Sequence, residues 1–116
     1  MPNHCNNTLT IRFNTENQLY DFTNDYLNNY EGAWDKEILK KGSKGVIVAN
    51  VTGWEPDFPW LQSILSKYSG CWIKNEWLEE GGYAGVWVGY YNVSGVKVVD
   101  EMKWVDLSIE ERAFLF

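Results

Sequence analysis

Positive charge is scarce in this sequence. The 116 residues include 10 Lys and Arg against 16 Asp and Glu, which gives a net charge of −6. A surface that binds nucleic-acid phosphates needs clustered Lys and Arg, so the composition disfavours direct nucleic-acid binding. The acidic excess is also too small for the dense carboxylates with which a protein would imitate DNA.

Histidine and cysteine are scarce as well. One histidine, His4, and two cysteines, Cys5 and Cys71, provide too few ligands for a structural zinc site, so we expect no metal and no cofactor. After removal of the initiator methionine, a terminal Pro2-Asn3-His4 could hold Cu(II) or Ni(II) in a square plane. An accidental tripeptide is the favoured interpretation of these three residues.

Long apolar runs are absent from the sequence. No run approaches the length of a membrane span, and no basic segment followed by an apolar one opens the chain as in a signal peptide. We therefore expect a cytoplasmic protein without a membrane partner, in which both thiols are reduced.

Groupings of catalytic side chains are missing too. Carboxylates occur as adjacent pairs at Glu79-Glu80, Asp100-Glu101 and Glu110-Glu111. Adjacent residues of a strand point to opposite faces, so these pairs are better read as solvated charge or as protection of strand edges than as acid/base pairs. The Gly81-Gly82 pair lacks the Lys-Ser/Thr that follows in a phosphate-binding loop. We expect no enzyme and no catalytic residue.

Aromatic residues, by contrast, are abundant. They make up 16% of the chain, with seven Trp and seven Tyr, which is too many to assume that all are buried. Rings outside the core form surfaces that bind other proteins. The length fits one domain over residues 1–116, whose core needs no disulfide.

The first half of the chain reads as strand, helix, strand, helix. "TLTIRF" alternates as a half-buried strand, and Thr15 with Gln18 forms a capping-box pattern at the start of a helix over residues 15–29. Residues 31–44 read as a loop, and "GVIVANVTG" is a β-branched second strand. Pro59 suits the first turn of a second helix, which Gly70 ends.

The second half reads as a run of strands. "CWIKNEWLEE" and "YAGVWVGYYN" flank Gly81-Gly82 as a tight hairpin, and "VKVVDEMKW" adds a further strand. Ser108 and Glu111 predict a short C-terminal helix. This order predicts an α+β fold: a mostly antiparallel sheet of four to five strands, with two helices on one face and a short C-terminal helix.

The hairpin register predicts a binding surface. A two-residue loop at Gly81-Gly82 places Glu80 opposite Tyr83, so that Gly85 and Gly89 leave room for the long side chains of Leu78 and Lys74. Ile73 and Trp77 then face the helices together with Ala84, Val86, Val88 and Tyr90. The helix-free face, and with it the predicted partner-binding site, carries Trp72, Lys74, Glu76, Leu78, Tyr83, Trp87 and Tyr91.

Two interpretations of that face are open. It is either an exposed aromatic surface or one that the chain's own C-terminal tail covers. If Trp72, Trp87 and Tyr91 are exposed together, a homodimer that pairs two such faces is expected. In that case Trp87→Glu would give a folded monomer.

Two blocks of the sequence resemble the YubB-like family of phage and conjugative-plasmid proteins. The opening "MPNHCNNTLTI" matches at Pro2, Asn3, Cys5, Asn7 and Leu9, although His4 stands where the family commonly has an aromatic residue. The second block is "TGWEPDFPWLQSILSKY", with "EEGGYAGVWVGY" after it, and it matches at Trp54, Pro56, Pro59, Trp60 and Leu61. The resemblance implies a ferredoxin-like domain and a mobile-element origin, and it carries over no catalytic residue.

The resemblance and the composition together suggest a function. We expect a small phage or plasmid accessory protein that binds a host protein and inhibits a host defence system. The alternative is a nucleic-acid-binding module that stacks bases on the aromatic sheet face, with Lys74, Lys97 and Lys103 supplying positive charge.

Overall fold

The computed structural model describes residues 3–104 as one antiparallel sheet with two helices. The strands are β1 (His4–Arg12), β2 (Trp34–Lys41), β3 (Gly45–Gly53), β4 (Trp72–Glu79), β5 (Ala84–Tyr91) and β6 (Lys97–Trp104). The helices are α1 (Glu16–Asn28), between β1 and β2, and α2 (Phe58–Lys67), between β3 and β4. The strand order across the sheet is β2-β3-β1-β4-β5-β6.

The predicted sheet of four to five strands, described as ferredoxin-like, is wrong, because the sheet has six strands. The segment that was read as a loop, residues 31–44, contains the edge strand β2. Its pairing with β3 shifts between Trp34 and Glu37 and again between Ile38 and Lys40, so its sequence shows no clean alternation. The predicted C-terminal helix falls in residues 105–116, outside the described residues.

Both helices begin where the sequence predicts. The Thr15 hydroxyl accepts a hydrogen bond from the Gln18 N–H at 3.1 Å, as the capping-box pattern requires, and α1 ends one residue before the predicted boundary. The Asp57 carboxylate accepts from the Trp60 N–H at 3.2 Å, and Pro59 lies in the first turn of α2. Neither helix is long and apolar enough to cross a membrane.

The core lies between the helices and one face of the sheet. Leu9, Ile11, Val48 and Ile73 from the central strands are almost fully buried there. Rings from both helices and their flanking segments stack over them, and the closest pair is Tyr30 and Trp60, whose centroids lie 3.9 Å apart. We call this side the helix-covered face and the opposite side the helix-free face.

The turn between β4 and β5 is longer than the sequence suggests. The Gly82 N–H donates to the Glu79 carbonyl at 3.0 Å, and the Glu79 N–H donates to the Tyr83 carbonyl at 2.7 Å, which leaves three residues in the loop. Gly82 has φ +100°, as expected for the glycine that closes a three-residue loop. The extra residue shifts the register by one, so that Trp77 pairs with Gly85 and Asn75 with Trp87. Every β5 side chain therefore lies on the opposite face from the predicted one.

Candidate functional site

The shifted register divides the predicted partner-binding residues between the two faces. Trp72, Lys74, Glu76 and Leu78 of β4 lie on the helix-free face, as predicted. Trp87, Tyr91 and Tyr83 lie on the helix-covered side instead. Trp87 is 2% exposed, and the Tyr91 hydroxyl donates to the Leu65 carbonyl of α2, so neither residue can contact a partner across the helix-free face.

The glycines of β5 make room for large rings. A Cβ at Gly85 would lie 2.3 Å from the Trp77 ring, and one at Gly89 would lie 2.7 Å from the Trp87 ring. Both rings therefore approach glycine backbone closely on the helix-covered face. Gly85 leaves room for a large side chain on the paired strand, as predicted, although that side chain is Trp77 and not Leu78, whereas Gly89 makes room for Trp87 of its own strand and not for Lys74.

The helix-free face carries an apolar strip over β4, β5 and β6. Leu78 and Met102 are 41% and 61% exposed, and Val86, Val88 and Tyr90, which follow one another along this face of β5, are half-buried. No helix of the described chain packs on this face. We use the name apolar strip for these five residues.

The lysines of the nucleic-acid alternative do not share this face. Lys74 lies beside the apolar strip, but Lys97 pairs with Tyr91 and Lys103 with Gly85, which places both on the opposite side. The Lys97 ammonium donates to the Ser66 hydroxyl of α2 at 3.0 Å. A base stacked on the helix-free face would therefore meet one of the three predicted cations.

A second candidate site opens at the end of the helix-covered face. It is a cavity of about 470 Å³ beside the turn that joins β4 and β5. Four aromatic side chains line it, from Trp54, Phe58, Trp77 and Tyr83, together with the charged Glu55, Glu79 and Lys103. The Phe58 and Trp77 rings meet edge to face with centroids 5.7 Å apart, which fixes the inner wall. We call this cavity the aromatic pocket.

Glu79 is the most unusual residue of the aromatic pocket. It is 2% exposed, and neither carboxylate oxygen has a hydrogen-bond partner among the described residues. A buried carboxyl group without a partner is costly, so such groups mark places where a partner is missing. The prediction from the sequence, that the Glu79-Glu80 pair is solvated charge or protects a strand edge, misses this burial. The sequence did contain a signal for this burial. Trp77 is predicted to face the helices, and Glu79, two positions further along the same strand, shares that face.

A buried polar row continues from Glu79 across the sheet. The Asn7 amide donates to the Asn50 side-chain oxygen at 3.1 Å and to the Thr52 hydroxyl at 2.9 Å, and it accepts from the Asn75 amide at 3.2 Å. Cys5 lies between Thr52 and Glu79 in the strand register. Burial is the main cause that raises the pKa of the Cys5 thiol to about 11, and the Glu79 charge adds to it. This thiol is therefore protonated and unreactive at neutral pH.

A larger cavity, of about 630 Å³, lies at the β2–β3 turn. Arg12, Lys40 and Lys44 line it, and all three are exposed to solvent. It is wide open, and it holds no buried polar group that lacks a partner. Exposed cations already have water as a partner, so this cavity does not point to a ligand as the aromatic pocket does.

Metal ligands do not cluster in the described part of the chain. No group of three or more His, Cys, Asp or Glu residues is placed to hold a metal ion within residues 3–104. The His4 side chain lies 3.7 Å from the Glu80 carboxylate, and Pro2, the first residue of the copper-binding hypothesis, is outside the described residues. Comparison of the chain with protein-family models, with curated proteins and with solved structures finds no match, so the likeness to the YubB-like family stays a prediction.

Proposed function

We propose that this protein acts by binding another protein across the helix-free face of its sheet. The observation that supports the proposal is the apolar strip, which no described part of the chain covers. Large exposed apolar patches on a folded domain mark interaction sites. Trp72, at 36% exposure, lies beside the strip and extends its apolar surface, and the Lys74–Glu76 ion pair, at 2.9 Å, would form part of a polar rim.

The size of this face suits a protein partner. Six strands spaced about 4.8 Å apart, each with eight or nine residues at about 3.3 Å per residue, give a surface of roughly 800 Å². A standard protein interface buries about 800 Å² on each side, so this face and its rim supply most of one partner's share. A small ligand would leave most of such a flat surface uncovered.

The net charge of this chain indicates the charge that its partner should carry. The chain carries a net charge of −6, so association is fastest with a partner whose apolar patch has a basic rim. The resemblance to phage and plasmid proteins favours a host protein as that partner and interference with a host defence system as the outcome. Tagged wild-type protein in host lysate, with mass spectrometry of what it captures, is the experiment that tests this.

Two single variants make the capture experiment specific. Leu78→Glu places a charge in the apolar strip and should weaken capture of the same host protein about tenfold. Gln62→Glu adds the same charge at an exposed position of α2, on the other side of the sheet, and should leave capture unchanged. Equal loss in both variants, or equal capture by both, would contradict a docking site at the strip.

Three other occupants give different results. A second copy of the chain would make the wild type a dimer in light scattering, and Leu78→Glu would make it monomeric. Coverage by residues 105–116 would make a chain ending at Trp104 capture more than the full chain does. Tryptophan quenching by an oligonucleotide at low salt would favour the nucleic-acid alternative. Each of these results would replace the host-protein proposal.

A further inference from the structure

The aromatic pocket lacks an internal partner for its charge. The charged groups that line it besides Glu79 are Glu55 and Lys103. Glu55 is exposed and carries the same charge as Glu79. The Lys103 ammonium lies 3.8 Å from Glu101, and about half of its side chain is exposed. Neither group satisfies Glu79, whose oxygens are both without a hydrogen-bond partner in the described chain.

The rim of the pocket is held in a strained backbone conformation. The Glu55 N–H donates to the Gly53 carbonyl at 2.8 Å across Trp54, whose φ is +68°. A three-residue turn with positive φ at its centre is rare and strained, especially for a bulky residue. The Trp54 N–H donates to the Asn3 carbonyl at 2.8 Å, and the Thr52 hydroxyl donates to the Glu55 carbonyl at 2.7 Å, so the turn is fixed from both sides.

The strained turn at Trp54 holds the indole ring of this residue in solvent. Trp54 is 61% exposed, although an indole of this size stabilises a fold mainly when it is buried. Strained backbone that positions a side chain at a cavity is typical of ligand sites. The Trp54 ring is therefore an exposed wall of the aromatic pocket, and Glu79 is a buried one.

We propose that the aromatic pocket binds an organic ammonium cation. The positive charge would pair with Glu79, and the alkyl groups around it would contact the faces of Trp54, Trp77 and Tyr83. Aromatic rings attract cations through their negative faces, and a buried carboxylate adds a full charge that solvent screens less than it would at the surface. A neutral ligand would leave Glu79 unsatisfied, and an anion would be repelled by it.

The cation has two possible sources with the same chemistry. It is either the side chain of a lysine or methylated lysine in a peptide, or a free small amine. A cavity of about 470 Å³ is large enough for either group. This inference does not depend on the helix-free face, since the aromatic pocket lies on the other side of the sheet.

Calorimetric titration of the full chain with choline tests the proposal. 3,3-Dimethyl-1-butanol has the same shape without the charge and should bind at least about tenfold more weakly. Glu79→Gln keeps the shape of the side chain and removes its charge, and it should weaken choline binding about tenfold or more. Glu76→Gln is the matched control on the same strand, since Glu76 is exposed on the helix-free face, and its affinity should equal that of the wild type.

Further ligands identify the source of the cation, and further variants distinguish loss of binding from loss of folding. Short peptides that contain lysine or trimethyllysine should bind more tightly than choline if the source is a protein side chain, and more weakly if it is a free amine. Trp54→Ala changes an exposed ring, so it should fold and still lose choline affinity. Lys103→Met removes a like charge from the rim and should tighten binding. No detectable binding of any ammonium ligand, equal binding of choline and its neutral analogue, or unchanged affinity in Glu79→Gln would overturn the proposal.

Discussion

The helix-covered face is built differently at its two ends. At one end, which we call the apolar half, Leu9, Ile11, Val46, Val48 and Ile73 are buried in one hydrophobic cluster with the rings of the helices. At the other end, the polar half, the same strands β1, β3 and β4 bury Cys5, Asn7, Asn50, Thr52, Asn75 and Glu79. The apolar half gains free energy from burial, whereas each polar group in the other half must find a partner to avoid a loss.

This difference suggests that the apolar half stabilises the fold and that the polar half contains a candidate binding site. Apolar packing alone accounts for the apolar half, but the polar half contains three buried oxygen atoms that lack a hydrogen-bond partner in the described chain, one on Asn75 and two on Glu79. The aromatic pocket opens beside these groups and not beside the apolar half. We therefore expect substitutions in the apolar half to unfold the protein and the substitution of Glu79 to stabilise it.

The largest effect is expected from Trp87→Glu. Trp87 is almost fully buried against Gly89, so a carboxylate there should cost more than about 4 kcal/mol and abolish folding, whereas a folded monomer was predicted from the sequence. Circular dichroism and urea unfolding measure this. Trp72→Glu, on the helix-free face, is the control and should unfold within about 0.5 kcal/mol of the wild type. A folded Trp87→Glu protein would contradict the register.

High pH should weaken both halves through their thiols. Burial is the first cause that raises the pKa of Cys5 and of Cys71 from 9.0 to about 11. The folded chain therefore holds these protons more tightly than the unfolded chain, so the stabilisation is complete below pH 9 and is lost as the pH rises to about 11. Between about pH 8 and about pH 10.5 we expect a loss of about 2 kcal/mol per thiol in urea unfolding.

Single cysteine variants measure how much of this loss of stability each thiol causes. Cys5 belongs to the polar half, and Cys71, which precedes β4, contacts the Ile64 carbonyl of α2. Cys5→Ala and Cys71→Ala should each remove about half of the pH dependence. Burial also raises the pKa of Tyr26 and Tyr68, which acts in the same direction at higher pH. A stability that is constant over this pH range would contradict the burial of the thiols.

Gly85→Ala should have the next largest effect. The new methyl group would meet the Trp77 ring at 2.3 Å and the Met102 carbonyl at 2.7 Å, so the ring must move away from the strand. Overpacking of this kind costs about 2 kcal/mol, and displacement of Trp77 should also weaken ligand binding in the aromatic pocket. Gly42→Ala is the matched control, because its methyl group meets only the Gly45 carbonyl, at 3.7 Å. Equal urea midpoints for both variants would show that Trp77 does not lie on Gly85.

The smallest effect, and the only stabilising one, is expected from Glu79→Gln. The substitution removes a buried charge without a described partner and should raise the free energy of unfolding by about 1 kcal/mol in the absence of ligand. Glu76→Gln should leave it unchanged, because the Glu76 carboxylate is exposed and paired with Lys74. Loss of stability in Glu79→Gln would indicate that this carboxylate supports the fold itself.

Local chemistry predicted some elements of the fold and missed others. Thr15 and Pro59 mark helix starts by rules that act within a few residues, so both helices were found. β2 was missed because its two register shifts remove the alternation by which an edge strand is recognised. The register of β5 depends on hydrogen bonds across the turn, and two glycines in sequence do not reveal whether a loop has two or three residues.

The candidate sites were predicted to different degrees. Strand alternation alone predicts which β4 residues lie on the helix-free face, and the structure has them there. The aromatic pocket joins Trp54 of one loop to Trp77 and Tyr83 of a distant hairpin, so only the folded chain brings them together. The burial of Glu79 was predictable from the sequence, since Glu79 shares a face with Trp77. The adjacent Glu80 instead favoured the interpretation of both carboxylates as surface charge.

The three-residue turn between β4 and β5 makes the protein far more sensitive to insertion and deletion than to substitution at that point. Side chains alternate along β5, so the parity of the loop length decides which set faces the helices. Loss of one glycine would bring Val86, Val88 and Tyr90 inward and expel Trp87, whereas loss or gain of two residues would preserve the order of faces. During divergence, a change of loop length that preserves the two faces therefore comes in steps of two.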